Sequence, residues 1–188
     1  TELQTEMVRF REFCEFPDLT QKVVIGIGGK FSAGKSTLIN TLLGKKQLVT
    51  EIDPTTSLPT YLLQGSESSV TALNLFNKKV DLSMEEFQTL THDEKQNYGS
   101  QIGSLLTSAF ISDPEFKWQN LALLDTPGYT KPEDNDHSAR TDESVARSQL
   151  NAAQFIVWLV SAEDGTIKED DLLFLASLNA DIPRLVLI

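Results

Sequence analysis

The stretch Gly29-Lys30-Phe31-Ser32-Ala33-Gly34-Lys35-Ser36 sets two glycines, a lysine and a hydroxyl at the spacing Gly-x4-Gly-Lys-[Ser/Thr]. That spacing suits one kind of chemistry. Glycines let successive backbone N–H groups turn toward a single anion, and a helix beginning near Lys35 adds its N-terminal partial positive charge. The Lys35 ammonium can then reach β- and γ-phosphates. Ser36 offers a hydroxyl to magnesium, and Gly29 through Thr37 forms the candidate nucleotide-binding stretch. A chance glycine-rich turn would match this pattern in roughly one percent or less of chains of this length.

A second group of residues, Asp125-Thr126-Pro127-Gly128, follows the apolar run Leu121-Ala122-Leu123-Leu124. By itself such a tetrapeptide reads as an ordinary turn closing a strand. Placed after a phosphate loop it acquires another reading, in which the Asp125 carboxylate holds magnesium through water and the Gly128 N–H senses a γ-phosphate.

Both groups need a scaffold, and the apolar pattern supplies one. Val23-Val24-Ile25-Gly26-Ile27 reads as a strand buried on both faces, and Leu38, Ile39, Leu42 and Leu43 follow helical spacing up to Gly44. Strand, glycine-rich loop and helix therefore come in the required order. Upstream, Leu3, Met7, Phe10 and Cys14 give a helix over 2 to 16 one apolar stripe, ended by Pro17 and Asp18. Segments 58 to 63 and 70 to 76 read as a β-hairpin joined through Gln64-Gly65-Ser66-Glu67-Ser68. Helices are expected over 83 to 91, with Ser83 and Glu86 as a capping box, and over about 94 to 110, with Ile102, Leu105, Leu106 and Phe110 on its apolar face. Apolar runs at 120 to 124, 155 to 160 and 184 to 188 alternate with helical stretches at 142 to 152 and 168 to 178, and 127 to 141 reads as loop. The pattern implies α/β: a doubly wound, mostly parallel sheet of P-loop type with a helical insertion and an N-terminal helix.

Composition narrows the function classes. The 188 residues suit one domain, and 40% hydrophobic content with 8% aromatics supports a packed core. A formal net charge of -11 disfavours nucleic acid as a partner, and anionic lipid contact would have to be local. Cys14 is the single cysteine, so an internal disulfide is excluded and a reducing, cytoplasmic setting is expected. The start lacks a signal-peptide pattern and no apolar run is long enough to span a membrane. Absence of an initial Met, and an end at Ile188 inside an apolar run, suggest a piece of a longer chain.

With a P-loop and Asp-x-Pro-Gly together, the chain resembles the GTPase superclass that pairs these motifs. That resemblance points to a third element, a threonine in the loop crossing the nucleotide, which ligands magnesium only when the γ-phosphate is present. Thr56, 21 residues after Lys35, is the choice, with Thr55 and Thr50 as competitors. From Phe31 through Asn40 to Leu43-Gly44 the text resembles bacterial dynamin-like proteins of the dynamin superfamily. The long interval from Thr56 to Asp125 and the helix ahead of the first strand fit the same family. The resemblance implies that residues 1–20 pack with parts outside this chain, and that 21–188 is a GTPase domain ending before its guanine-recognition motif. It further implies GTP as substrate, GDP as product and Mg2+ as cofactor. Nucleotide-dependent homodimerisation or pairing with a related dynamin-like partner, and membrane lipid contact through regions outside this chain, follow from it too. Cytoplasmic placement, peripheral at a membrane, is the matching localisation.

One departure concerns the mechanism. Dynamins proper carry a catalytic Gln where this chain has Phe31, although Ser32 matches the following dynamin serine that positions the nucleophile. The resemblance thus gives Ser32, Lys35 and Thr56 catalytic roles, Ser36, Thr56 and Asp125 (through water) the metal, and Ser32 with 125 to 129 the nucleophile. An Asn-Lys-x-Asp motif is expected after 184 to 188; Asn77-Lys78-Lys79-Val80 lacks the Asp, so guanine against adenine stays open. Rival readings are a ribosome-assembly-type GTPase, an EH-domain-like ATPase, and a nucleotide-gated binding module with negligible hydrolysis. Weaker candidates are His137, expected in the loop after Gly128; His92, expected at a helix start; and the acids 163 to 164 and 169 to 171, read as helix caps. Trp118 and Trp158 are expected in the core, and Lys30 toward solvent or a partner domain.

Overall fold

A computed structural model describes residues 7, 10, 12–45, 48, 58–76, 78–92, 105–128 and 137–188. Eight strands form one sheet: β1 (Val23–Gly29), β2 (Thr60–Leu63), β3 (Ser69–Asn74), β4 (Lys79–Leu82), β5 (Leu106–Ser112), β6 (Leu121–Asp125), β7 (Phe155–Leu159) and β8 (Arg184–Leu187). Their order across the sheet is β4-β3-β5-β2-β6-β1-β7-β8. From β6 to β8 every neighbour is parallel, whereas β2 meets β6 antiparallel and β3 is antiparallel to both β4 and β5. The helices are α1 (Lys35–Leu43), α2 (Met84–His92), α3 (His137–Ala152) and α4 (Glu169–Ala176). Among the described residues this is the mixed, mostly parallel α/β sheet that the alternating pattern implies.

The sheet buries both faces. Along β6, Leu123 joins the cluster of Ile27, Ile39 and Leu62, while Ala122 and Leu124 point the other way to Tyr61, Leu63 and Phe110. Period-two alternation inside one continuous apolar run is what a central strand requires. α3 lies close to β1, where a Cβ on Gly26 or Gly28 would come within 2.8 Å of Leu150 or Trp158. Those two glycines let the helix approach. Trp158 is fully buried and Trp118 packs at the edge of the core, as expected.

Four expectations need correction. Segments 58 to 63 and 70 to 76 do not pair with each other; β5 lies between them, parallel to β2 and antiparallel to β3. All four β2 residues are buried, so the strand needs neighbours on both sides, and Gly65 slips past the end of β5 where a Cβ would collide with Ser112. The stretch 94 to 110 is not one helix: Leu106–Ser112 is β5, with Ser108 to Ile111 buried. A short apolar run has no period that separates a buried strand from a helix. Ile102 lies outside the described residues. His92 ends α2 rather than starting a helix, and His137 opens α3 rather than sitting in a loop. The predicted capping box is present, with Ser83 N–H donating to Glu86 Oε2 (2.7 Å) and Glu86 N–H to Ser83 Oγ (3.1 Å).

Leu3 of the predicted N-terminal stripe lies outside the described residues; the other three turn outward. Met7 and Phe10 are 46% and 70% exposed and Cys14 is exposed, while Glu12 is buried and Phe13 and Phe16 pack on the sheet. Phe16 stacks on Phe110, which stacks in turn on Tyr61. Phe13 and Phe16, both off the predicted stripe, are the rings that pack on the sheet.

Candidate functional site

β1 and α1 are joined by a loop whose backbone needs glycine. Gly29 and Gly34 have φ of 147° and 89°, and a Cβ on Gly29 would lie 2.5 Å from the Leu159 carbonyl of β7. Ser32 also adopts a left-handed φ of 59°, a cost of order 1 kcal/mol that the surrounding structure has to hold. α1 starts directly at Lys35, so its free N–H groups face the loop. Lys35 is buried, and its Nζ donates to the Lys30 carbonyl at 2.9 Å and the Gly29 carbonyl at 3.3 Å. Burial lowers its pKa, opposed by the nearby Asp125 charge.

Ser36 and Asp125 meet. Ser36 Oγ donates to Asp125 Oδ2 at 2.9 Å, because β6 lies beside β1 with Asp125 in register with Ile27. Thr126 Oγ1 locks that end by donating to the Ile27 carbonyl (2.8 Å). Burial raises the Asp125 pKa to about 6, against the lowering effects of Lys35 and Ser36. Its Oδ1 is buried and has no hydrogen-bond partner among the described residues. A desolvated carboxylate oxygen beside a hydroxyl, with no donor of its own, fits a hard cation such as Mg2+.

Gly128 stands against Phe31, where a Cβ would come within 2.9 Å of the Phe31 Cα. The structure therefore brings Gly29 to Ser36, Asp125 and Gly128 to one end of the sheet. Ala33 is buried under the loop, Ser32 is exposed, and Thr37 is exposed with its carbonyl engaged by Thr41 Oγ1. Thr56, with Thr50 and Thr55, lies outside the described residues, but its flanks are placed. Leu48 is buried, and Asn40 clamps its backbone twice: Nδ2 donates to the Leu48 carbonyl (2.7 Å) and Oδ1 accepts from the Leu48 N–H (2.8 Å). On the far side, Thr60 of β2 is in register with Asp125. Asn40 is one turn beyond Ser36 on α1, a spacing that could have marked it in the sequence. Lys30 Nζ lies 3.4 Å from Asp171 Oδ2 on α4, with a quarter of its side chain exposed. Glu169, Asp170 and Asp171 fill the first turn of α4, and of these Asp171 caps it, its Oδ2 accepting from the Lys168 N–H (3.2 Å); only Asp171 is buried.

Fold and site together define a P-loop α/β nucleotide-binding domain. The sequence model of the Dynamin family matches residues 25–184, so the chain belongs to the dynamin family, a family of GTPases. Dynamin-like protein 2 of Campylobacter jejuni is 29% identical over 153 residues, covering 81% of this chain and 23% of that protein. Among solved structures, an oligomerised bacterial dynamin pair described as sensing and tethering membranes aligns with 95% of this chain and 36% of its own, at TM-score 0.51 and 19% identity. Era in complex with MgGDPNP and a segment of 16S ribosomal RNA aligns at TM-score 0.50 and 19% identity, over 89% of this chain and 40% of its own. These two likenesses show the fold. The chain spans under a quarter of its curated relative's length and about a third of the dynamin chain's.

Proposed function

We propose that this chain binds GTP with magnesium and hydrolyses it by in-line attack of water on the γ-phosphate. The observation that carries the reading is the Ser36 hydroxyl meeting the Asp125 carboxylate at 2.9 Å beneath a P-loop with a buried lysine. On nucleotide binding, Lys35 Nζ exchanges the Gly29 and Lys30 carbonyls for phosphate oxygens, and the loop N–H groups neutralise the phosphate charge. Ser36 and Thr56 would ligand Mg2+ directly and Asp125 through water. The ion supplies charge neutralisation at the transferring phosphoryl group. Gly128 N–H faces the γ-phosphate, and Ser32 with the segment starting at Asp125 orients the nucleophile.

Residues 1–20 act with parts of the whole protein outside 21–188, a reading supported by the outward Met7, Phe10 and Cys14. Family membership supports nucleotide-dependent self-association, or pairing with a related dynamin-like protein, coupled to work at a membrane from the cytoplasmic side. No described helix is long and apolar enough to cross a membrane, and lipid contact in this reading is made by regions outside this chain.

The test is nucleotide binding by the full-length protein, titrating GTP and ATP with magnesium against a Lys35→Ala variant. Tight GTP binding lost in Lys35→Ala is expected; ATP preference moves the assignment to EH-domain-like ATPases, and binding of neither removes the reading. Phe31 favours a second reading, a nucleotide-gated module with negligible hydrolysis, because an aromatic ring cannot orient water. Turnover that rises per molecule with protein concentration excludes it.

A further inference from the structure

We propose that Asp171 is a positioning residue of the phosphate-binding loop, acting through Lys30; the inference rests on reading residues 29–36 as that loop. The loop is unusual in how much left-handed backbone it holds, at Gly29, Ser32 and Gly34. Such a conformation persists only where neighbouring structure over-determines it.

The far limb is held by α1 and by Phe31 against Gly128. On the near limb, Gly29 is in register with Leu159 of β7 and lies too close to its carbonyl for any side chain. The next residue, Lys30, sends its ammonium across β7 to the first turn of α4, 3.4 Å from Asp171 Oδ2. Its peptide carbonyl is meanwhile the nearer of the two acceptors that seat Lys35 Nζ. The tether on the Lys30 side chain and the seat of the phosphate-binding lysine thus belong to one residue.

Burial makes the tether specific. The Asp171 side chain is 3% exposed, against 25% for Lys30. Glu169 is exposed and Asp170 only half-buried, so a solubility role common to the three acids does not account for Asp171. The helix cap needs an acceptor for the Lys168 N–H but not a charge, and an amide oxygen serves it as well. A carboxylate this buried is held at low cost only with its cation in place. Lys30 is the cation at ion-pair distance from that charge, and Lys168 adds a weaker, longer-range attraction.

The experiment measures GDP affinity in the full-length protein for Lys30→Met, Asp171→Asn and the double variant. Asp171→Asn keeps volume and cap acceptor and removes only the charge. Each single variant is expected to weaken GDP binding by about five- to tenfold, the scale of one charge-assisted contact. The double variant is expected to be no worse than either single one, and Lys30→Arg to recover most of the loss. Hydrogen exchange of the 29–36 amides is expected to quicken in Asp171→Asn, which reports loop positioning even where thermal stability also changes. Unchanged affinity and exchange in both single variants, strictly additive losses, or tighter binding by Asp171→Asn would each overturn the proposal. Lys35→Ala keeps the two readings apart. If it leaves GDP affinity intact, the phosphate-loop reading itself fails; if it abolishes binding while the 30 and 171 variants bind normally, only the tether fails.

Discussion

Two buried carboxyls sit at opposite extremes of completion. Asp125 ends β6 beside the phosphate loop, and Glu12 lies at the end of the N-terminal helical segment, against the sheet. Burial raises both, Asp125 to about 6 and Glu12 to about 7. Around Asp125 the compensation is ionic and partial: Lys35 nearby, one hydroxyl on Oδ2, and on Oδ1 no partner among the described residues. Around Glu12 it is neutral and closed. Tyr61 Oη lies 2.5 Å from Glu12 Oε2 and 3.1 Å from Gln149 Oε1, and Gln149 Nε2 is 3.5 Å from Glu12 Oε1. A phenol has one proton and cannot donate to two oxygens at once. The shorter contact takes that proton: Tyr61 donates to Glu12 Oε2, which favours the charged carboxylate, while burial outweighs it and raises the pKa. One site is left open for a cation; the other is complete without one and ties the N-terminal segment to β2 and α3.

The sharpest way to break this contrast is to delete the open carboxylate. Asp125→Ala is expected to lower GTP turnover by about a hundredfold or more, the scale of losing a metal-positioning group, without lowering the melting temperature of the nucleotide-free protein. Retained turnover, or a collapse in stability, would place Asp125 with Glu12 as a structural group.

A second measurement follows stability against pH. Both folded pKa values are raised, so both groups contribute stability that is fully present below their unfolded values, 3.8 for Asp125 and 4.5 for Glu12, and lost as pH rises through about 6 and about 7. Each shift corresponds to an effect on the order of 3 kcal/mol. Glu12→Gln is expected to remove the part of the slope that extends to pH 7 and to raise stability above it. Magnesium with nucleotide is expected to flatten only the Asp125 part, since a cation favours the charged carboxylate. Flattening of both parts by magnesium would mean that the two sites are not independent. Tyr61→Phe is the next step down, expected to cost about 1–3 kcal/mol by leaving Glu12 buried without its phenol.

The two regions were also unequally legible in the sequence. Around Asp125 the chemistry is local: Gly29 to Ser36 is contiguous, Asp125 closes an apolar run, and parallel strands alternating with helices place one beside the other. At Glu12 nothing local helps. A charged residue among Phe10, Phe13 and Phe16 reads as the solvent face, and its partners are 49 and 137 positions away. The sheet shows the same division. β1, β6 and β7 declared themselves as apolar runs, whereas β5 passed for a helix and β3 for the partner of β2, because strand order is set by burial on both faces and not by adjacency in the chain. Asp171 was hidden for a further reason: it acts on another residue's position, through a contact that no motif spacing encodes.

Gln149 gives the smallest effect and the finest test. Its contacts are long, 3.1 Å to Tyr61 and 3.5 Å to Glu12, so Gln149→Met is expected to cost under about 1 kcal/mol, well below Tyr61→Phe. The sign of the accompanying pKa change matters more than the cost. The Gln149 amide N–H favours the charged form of Glu12, so losing it should move the Glu12 midpoint above 7. Desolvation is the largest influence on Glu12, and Met deepens it, so an upward shift is expected from pH-dependent unfolding. A downward shift would mean that hydrogen bonding around Glu12, rather than burial, sets its midpoint, and the contrast with Asp125 would then rest on hydrogen bonding alone.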